Sequence, residues 1–265
     1  KVILCSDLNL SGISYSDTGF FSGVFDGKNH TINYEAKGIE NYITETSVFP
    51  FVVTDGKLKD VKVNIDQCNI FEECDFEEGT MPHDVGILGK GALNSEIEGV
   101  QLKANSKIVF WGGDIYGGFN VSAFETIQKN TIKNCSVSIN YDLADEQQCT
   151  NIVEGIKNQT DEWGDINDLA LYQLGNESNT FSNTYENCYS AGSHGKYLQQ
   201  LAQNLKEWNT SKDHTGVVAK FIGTPDKNKT SAKSCFFDST LAPELRAVCD
   251  SRENTAMDNE KAFAK

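Results

Sequence analysis

The chain has 265 residues, of which 38% are hydrophobic and 10% aromatic, enough to bury a sizeable core and too apolar for a disordered segment. A formal charge of −15 repels phosphate backbones and anionic lipid, which argues against nucleic-acid and membrane-surface roles. No apolar run is long enough to cross a bilayer, and 22 glycines against 4 prolines suit many tight turns between short strands.

In chain order, the first element is an apparent strand, Lys1-Val-Ile-Leu-Cys5, with no cap or initiator Met before it. The expectation is one domain, residues 1–265, cut from a longer polypeptide that carries signal and anchor elsewhere. A short pattern then recurs. It reads Leu58-Lys-Asp60-Val61-Lys-Val63, Ile97-Glu-Gly99-Val100-Gln-Leu102, Ile132-Lys-Asn134-Cys135-Ser-Val137, Tyr185-Glu-Asn187-Cys188-Tyr-Ser190 and Ala232-Lys-Ser234-Cys235-Phe-Phe237. The central residues lie 39, 35, 53 and 47 positions apart.

Each copy places an inward apolar residue, an outward polar one, a corner residue (Asp60, Gly99, Asn134, Asn187, Ser234) and a small inward one. Asp, Gly and Asn accept a left-handed backbone most cheaply, and such a residue between two strands turns the chain without a loop. Repetition of that corner predicts a solenoid whose coils bury one continuous core. A β-sandwich is the alternative for short strands with turn signals. Apolar strands closed by Gly or turn residues precede the corner motif in several coils, as at Val85-Gly-Ile-Leu-Gly89.

Two stretches fit no coil and are expected to be insertions. Residues 142–183 are long, acidic and Asn-rich. Residues 193–210 contain Lys196-Tyr-Leu-Gln-Gln-Leu-Ala-Gln-Asn-Leu-Lys-Glu-Trp208, whose apolar residues recur at helical spacing.

The opening stretch, Ser6-Asp-Leu-Asn-Leu-Ser-Gly12 with Phe21-Ser-Gly-Val-Phe-Asp-Gly-Lys-Asn-His-Thr-Ile32, resembles the first coil of the bacterial GLUG-type β-helix repeat. Val85-Gly-Ile-Leu-Gly89 and Asn187-Cys-Tyr-Ser-Ala-Gly192 are similar to the repeat proper, and Cys235-Phe-Phe-Asp238 with residues 255–263 resembles the terminal coil and its following segment. The usual Gly-Gly-Leu-Val-Gly string is degraded to Val217-Val-Ala-Lys-Phe-Ile-Gly223. The resemblance implies an all-β, right-handed parallel β-helix from a secreted or cell-surface, adhesin-like bacterial protein. It implies a structural or adhesive module without an active site of its own, whose partners are a carbohydrate, a cell surface, or neighbouring domains or subunits of the parent protein.

Eight cysteines without any Cys-x-x-Cys spacing exclude zinc-ribbon and thioredoxin motifs and fit disulfides in an oxidising compartment. Short loops make Cys68–Cys74 and Cys235–Cys249 the expected bridges; the alternative is free thiols packed in the core. Asn9, Asn209 and Asn228 head Asn-x-Ser/Thr sites with an acidic residue two places earlier, a form that resembles the bacterial glycosylation sequon.

Metalloprotease, phosphate-loop, nucleophile-elbow and dinucleotide motifs are missing from the sequence. The expectation is therefore no catalytic residue and no cofactor; the acidic clusters at residues 72–78 and 161–165 are expected to be solvated loops, with a calcium site the alternative. A polysaccharide lyase or glycoside hydrolase is the enzymatic alternative, and a fibre or spacer subunit the third. In Phe110-Trp-Gly-Gly-Asp-Ile-Tyr-Gly-Gly118, Trp111 and Tyr116 flank Asp114; Trp163 with Asp165 repeats the pairing. A flat aromatic beside a carboxylate offers a sugar ring a stacking face and a hydrogen-bond acceptor, so these five are the candidate ligand residues. His30 is expected to make a structural hydrogen bond and Asp26 a turn.

Overall fold

The computed structural model describes residues 1–11, 19–35, 48–73, 85–111, 119–158, 168–177, 182–208, 216–223, 231–237 and 245–249. Within them the chain makes seven successive coils of three strands each. The first is β1 (Val2–Ile3), β2 (Leu8–Ser11) and β3 (Gly19–Phe21); the second is β4 (Val24–Asp26), β5 (Thr31–Glu35) and β6 (Phe49–Thr54). The third is β7 (Lys57–Lys59), β8 (Lys62–Glu73) and β9 (Val85–Leu93); the fourth is β10 (Glu96–Glu98), β11 (Gln101–Trp111) and β12 (Phe119–Gln128). Next come β13 (Thr131–Lys133), β14 (Ser136–Leu143) and β15 (Asp168–Glu177), then β16 (Thr184–Glu186), β17 (Tyr189–Ser190) and β18 (Gly216–Gly223). The last coil is β19 (Ser231–Lys233), β20 (Phe236–Phe237) and β21 (Leu245–Cys249).

First strands pair only with first strands, second with second and third with third. The result is three seven-stranded parallel sheets, numbered 1 to 3 here, in an all-β, solenoid-like fold. Every strand pairing among the described residues is parallel, so the sandwich alternative, which needs hairpins, does not apply.

The corners form as the recurring motif requires. Asp60, Gly99, Asn134, Asn187 and Ser234 all have positive φ, between 51° and 65°. They lie above one another: the N–H of each of the first four donates to the residue before the next corner, as Asn134 does to Glu186 O at 2.9 Å. At Gly99 a Cβ would meet Asp60 Oδ1 at 2.8 Å. The opening string has a similar logic. Asp26 ends β4 and its Oδ1 accepts the Lys28 N–H at 3.2 Å, while Lys28 and Asn29 take the left-handed turn. A Cβ on Gly27 would lie 2.5 Å from the backbone oxygen of Asp60, so only glycine fits beneath that coil. Phe21 and Phe25 join Phe49 and Phe51 in a chain of tilted and edge-on rings with centroids 5.1 to 5.5 Å apart.

Inside, apolar residues stack in columns. Phe25, Leu58, Ile97, Ile132, Tyr185 and Ala232 are successive partners in sheet 1. Leu58 and Ile97 are fully buried, each contributing about 1.5–3 kcal/mol of hydrophobic stabilisation.

A second left-handed column stands between sheets 3 and 1, at Asp55, Asn94 and Lys129, which the recurring pattern does not announce. The residues after it, Ser95 and Asn130, with Asn183 in the next coil, turn inward and are buried. Their polar groups satisfy one another and the backbone. Asn130 Oδ1 accepts the Ser95 N–H at 2.9 Å, and Asn130 Nδ2 donates to Ala92 O at 2.7 Å and to Asn183 Oδ1 at 3.0 Å.

The expected insertion over residues 142–183 is corrected in part. β14 runs to Leu143 in sheet 2, and Asp168–Glu177 is a strand of sheet 3 whose register shifts against both neighbours. Its alternation is hidden by Gln173, a fully buried amide that accepts the Ile139 N–H at 2.8 Å and donates to Ile139 O at 3.0 Å. What leaves the wall is α1 (Glu146–Asn158). The helix read at 196–208 is α2 (Lys196–Trp208). Both helices leave between sheets 2 and 3 in successive coils and pack on each other, adding Cys149, Ile152, Leu198 and Leu201 to the core. α2 has no acidic residue in its first turn; Asp142 of the coil before supplies the cap, accepting the Tyr197 and Leu198 N–H groups at 3.1 and 3.2 Å.

The expected Cys235–Cys249 bridge is also corrected: Cys235 is a buried free thiol. It continues the column of Val61, Val100, Cys135 and Cys188, where small inward residues follow each corner, and Cys135 and Cys188 are buried and free as well. Contact with the Cys135 thiol pushes Cys188 up to about 12, with the Cys235 thiol opposing and burial reinforcing it; the Cys188 thiol and burial push Cys235 up as well. For the Cys68–Cys74 pair, Cys68 lies on β8 and Cys74 lies outside the described residues.

Candidate functional site

Of the five sequence-derived ligand residues, one, Trp111, lies within the described residues. Trp111 is the last residue of β11, paired with Glu73 across sheet 2, and so belongs to a strand instead of a Gly-rich loop. Asp114, Tyr116, Trp163 and Asp165 lie outside the described residues, as do Asn209 and Asn228. Among the described residues no group of three or more His, Cys, Asp or Glu could hold a metal ion. His30 makes the expected structural contact, Nδ1 to Asp7 Oδ1 at 3.2 Å. Asp7 also accepts the Thr31 N–H at 2.8 Å, and that bond, aided by His30, holds its carboxyl below the usual range against the opposing effect of burial.

Two outer faces carry ordered ladders. On sheet 1 the partners Asp26, Lys59, Glu98, Lys133, Glu186 and Lys233 alternate in sign from the second coil to the seventh. Lys57 bridges Glu96 and Glu98 at 2.8 Å each, which raises the Lys57 ammonium and lowers Glu98. Asp26 is only 1% exposed, with Lys1, Lys28 and Lys59 ammonium groups at 3.3 to 3.7 Å. This face neutralises itself.

The outer face of sheet 2 is different. Asn33 Nδ2 donates to Asn9 Oδ1 at 2.9 Å and Asn64 Nδ2 to Asn33 Oδ1 at 3.1 Å. In the next column Asn140 Nδ2 donates to Asn105 Oδ1 at 2.9 Å, and Asn105 Nδ2 to Asp66 O at 3.1 Å. Ser193 closes that run by donating its N–H and Oγ to Asn140 Oδ1. The register shifts on β8 between Ile65 and Cys68, so Asp66 bulges beside Asn105. A groove of about 760 Å³ runs along this face, lined by the carboxamides with Glu35, Asp66, Lys103 and Ser138 and, between them, by apolar residues such as Leu10, Ile65 and Ala104. At the far end, Tyr189 and Phe236 are partners in consecutive coils, and each is 43% exposed.

Asn9, a candidate glycosylation site, thus stands in the first ladder. The ladders themselves escape sequence reading, because their members lie 24 to 53 residues apart and meet only through coil register. The one available signal is that each Asn sits at an outward position of a strand. Compared with known proteins, the chain matches no family model, no curated protein and no solved structure.

Proposed function

We propose that this chain is a right-handed β-helix of the GLUG-like type. In this reading it serves as a non-catalytic structural and adhesive module of an extracellular bacterial surface protein. The handedness follows from the strong right-handed preference of parallel crossover connections. The opening-coil string and the glycosylation-like sites support the surface setting. The cysteines do not, since Cys5, Cys135, Cys149, Cys188 and Cys235 are free.

The observation that carries the reading is the groove on sheet 2, a channel of mixed carboxamide and apolar lining built on strands instead of loops. A rigid sheet holds its outward groups at fixed separation, so ordering costs on binding are small. Its charge balance and the −15 of the chain favour a carbohydrate or cell-surface partner over nucleic acid.

The test applies the purified chain to a glycan array and to whole bacterial and host cells, and then assays soluble polysaccharide for new reducing ends or unsaturated products. Binding without product formation is expected. Shortened polymer would overturn the non-catalytic reading in favour of a hydrolase or lyase. Silence on every surface, with end-to-end polymers in sedimentation, would make the chain a fibre or spacer subunit.

A further inference from the structure

We infer that the sheet 2 groove takes an extended, uncharged, polyhydroxylated polymer, a neutral polysaccharide, lying along the stacking axis with Tyr189 and Phe236 as its apolar platform. This rests on reading the groove as the recognition face.

The argument starts from hydrogen-bond valence. A carboxamide has two N–H donors and two acceptor directions. Asn33 uses one N–H on Asn9 and one lone pair on Asn64. Asn105 does the same with Asp66 O and Asn140. Both are exposed, so each turns one donor and one acceptor outward. A hydroxyl group donates and accepts at once and satisfies such a pair. A phosphate or carboxylate only accepts, and an ammonium only donates, so each leaves half of every pair unmatched. Two acids and one lysine among the groove residues leave no cationic cluster for a polyanion.

Length follows from the stacking. Adjacent coils lie about 4.8 Å apart, so the outward groups recur at that step along the groove and favour a chain molecule over a single small one. The platform follows from register. In sheet 2 the column Thr31, Lys62, Gln101, Ser136 is polar until it reaches Tyr189 and Phe236. Tyr189 stands two residues before Ala191, which lines the groove. Two exposed aromatics one coil apart beside carboxamides give sugar rings an apolar surface next to hydroxyl partners.

The experiment is affinity electrophoresis of the full chain in gels containing a soluble β-glucan, an α-mannan or a galactan. Alginate serves as the polyanion control, and low and high salt are compared. At least one neutral polymer should retard the chain equally in both salts. The Tyr189→Ala/Phe236→Ala double variant should weaken binding about tenfold. Asn33→Leu should weaken it similarly, and Lys233→Ala on sheet 1 should not. Thermal melts check folding. The aromatic pair is surface-exposed, so that variant carries the test if Asn33→Leu does not fold.

The inference is overturned if no neutral polymer retards the chain, if alginate alone does and high salt abolishes it, or if the folded variants match wild type. Cell binding without polymer binding would remove the ligand class and leave the adhesive reading standing. Loss of both would remove both.

Discussion

Asn130 links three coils through one side chain that is 2% exposed, and its removal is the most direct test of the inward polar column. Asn130→Ala deletes the acceptor of the Ser95 N–H and the donor to Ala92 O, leaving two buried backbone groups unpaired. Each such group costs about 1–3 kcal/mol. Asn183 Oδ1 keeps the backbone N–H of residue 130 at 2.8 Å, so it is not orphaned, and the two unpaired groups set a total loss of about 2–6 kcal/mol. Asn130→Asp keeps the acceptor for Ser95 but sets a carboxylate against Ala92 O and Asn183 Oδ1; protonation restores a donor, so its deficit should shrink as pH falls. Urea unfolding followed by circular dichroism measures both variants. Asn183→Ala completes a double-mutant cycle with an expected coupling of about 0.5–3 kcal/mol. A loss under about 1 kcal/mol with no coupling would refute the idea that these amides tie the coils together.

The corner column makes a sharper chemical prediction. Asn134→Ala should lose about 1–2 kcal/mol because its φ is +54°, and Asn134→Gly should lose none, as read from melting curves. At pH 8 an alkylating reagent followed by peptide mapping should label exposed Cys5 and spare Cys135, Cys188 and Cys235 until the chain unfolds, since their thiols are buried and those of Cys188 and Cys235 are shifted upward. Glu98 is held below the usual carboxylate range by Lys57. Its contribution is therefore complete above that range and lost as pH falls through the lowered value. Lys57→Met should flatten this acid limb in a pH series of melting temperatures.

The corners were legible in the sequence because left-handed backbone narrows the choice of residue, so Asp60, Gly99, Asn134 and Asn187 declare themselves. α2 was legible from its apolar spacing. The second corner was not, because Lys129 has no special tolerance for positive φ and is held there by its neighbours. β15 stayed hidden because inward Gln173 breaks the alternation, yet it is stable inside since Ile139 satisfies both ends of its amide. Ser95, Asn130 and Asn183 are also polar residues that turn inward, so no apolar signal marks them. The candidate site was least legible. Pairing an aromatic with an acid nearby in sequence selects Trp111 and Asp114, whereas the groove brings together Asn9, Asn33 and Asn64 from three coils, and only the register decides that.

The alternating charges on sheet 1 bear on how such an array can grow. Removing the single coil that carries Glu98 would set Lys59 against Lys133, and duplicating it would set Glu98 against another glutamate. Like charges placed directly opposite are destabilising, whereas adding or deleting two coils together preserves the alternation. The column therefore favours turns gained or lost in pairs along this stretch, since a single turn would bring like charges together.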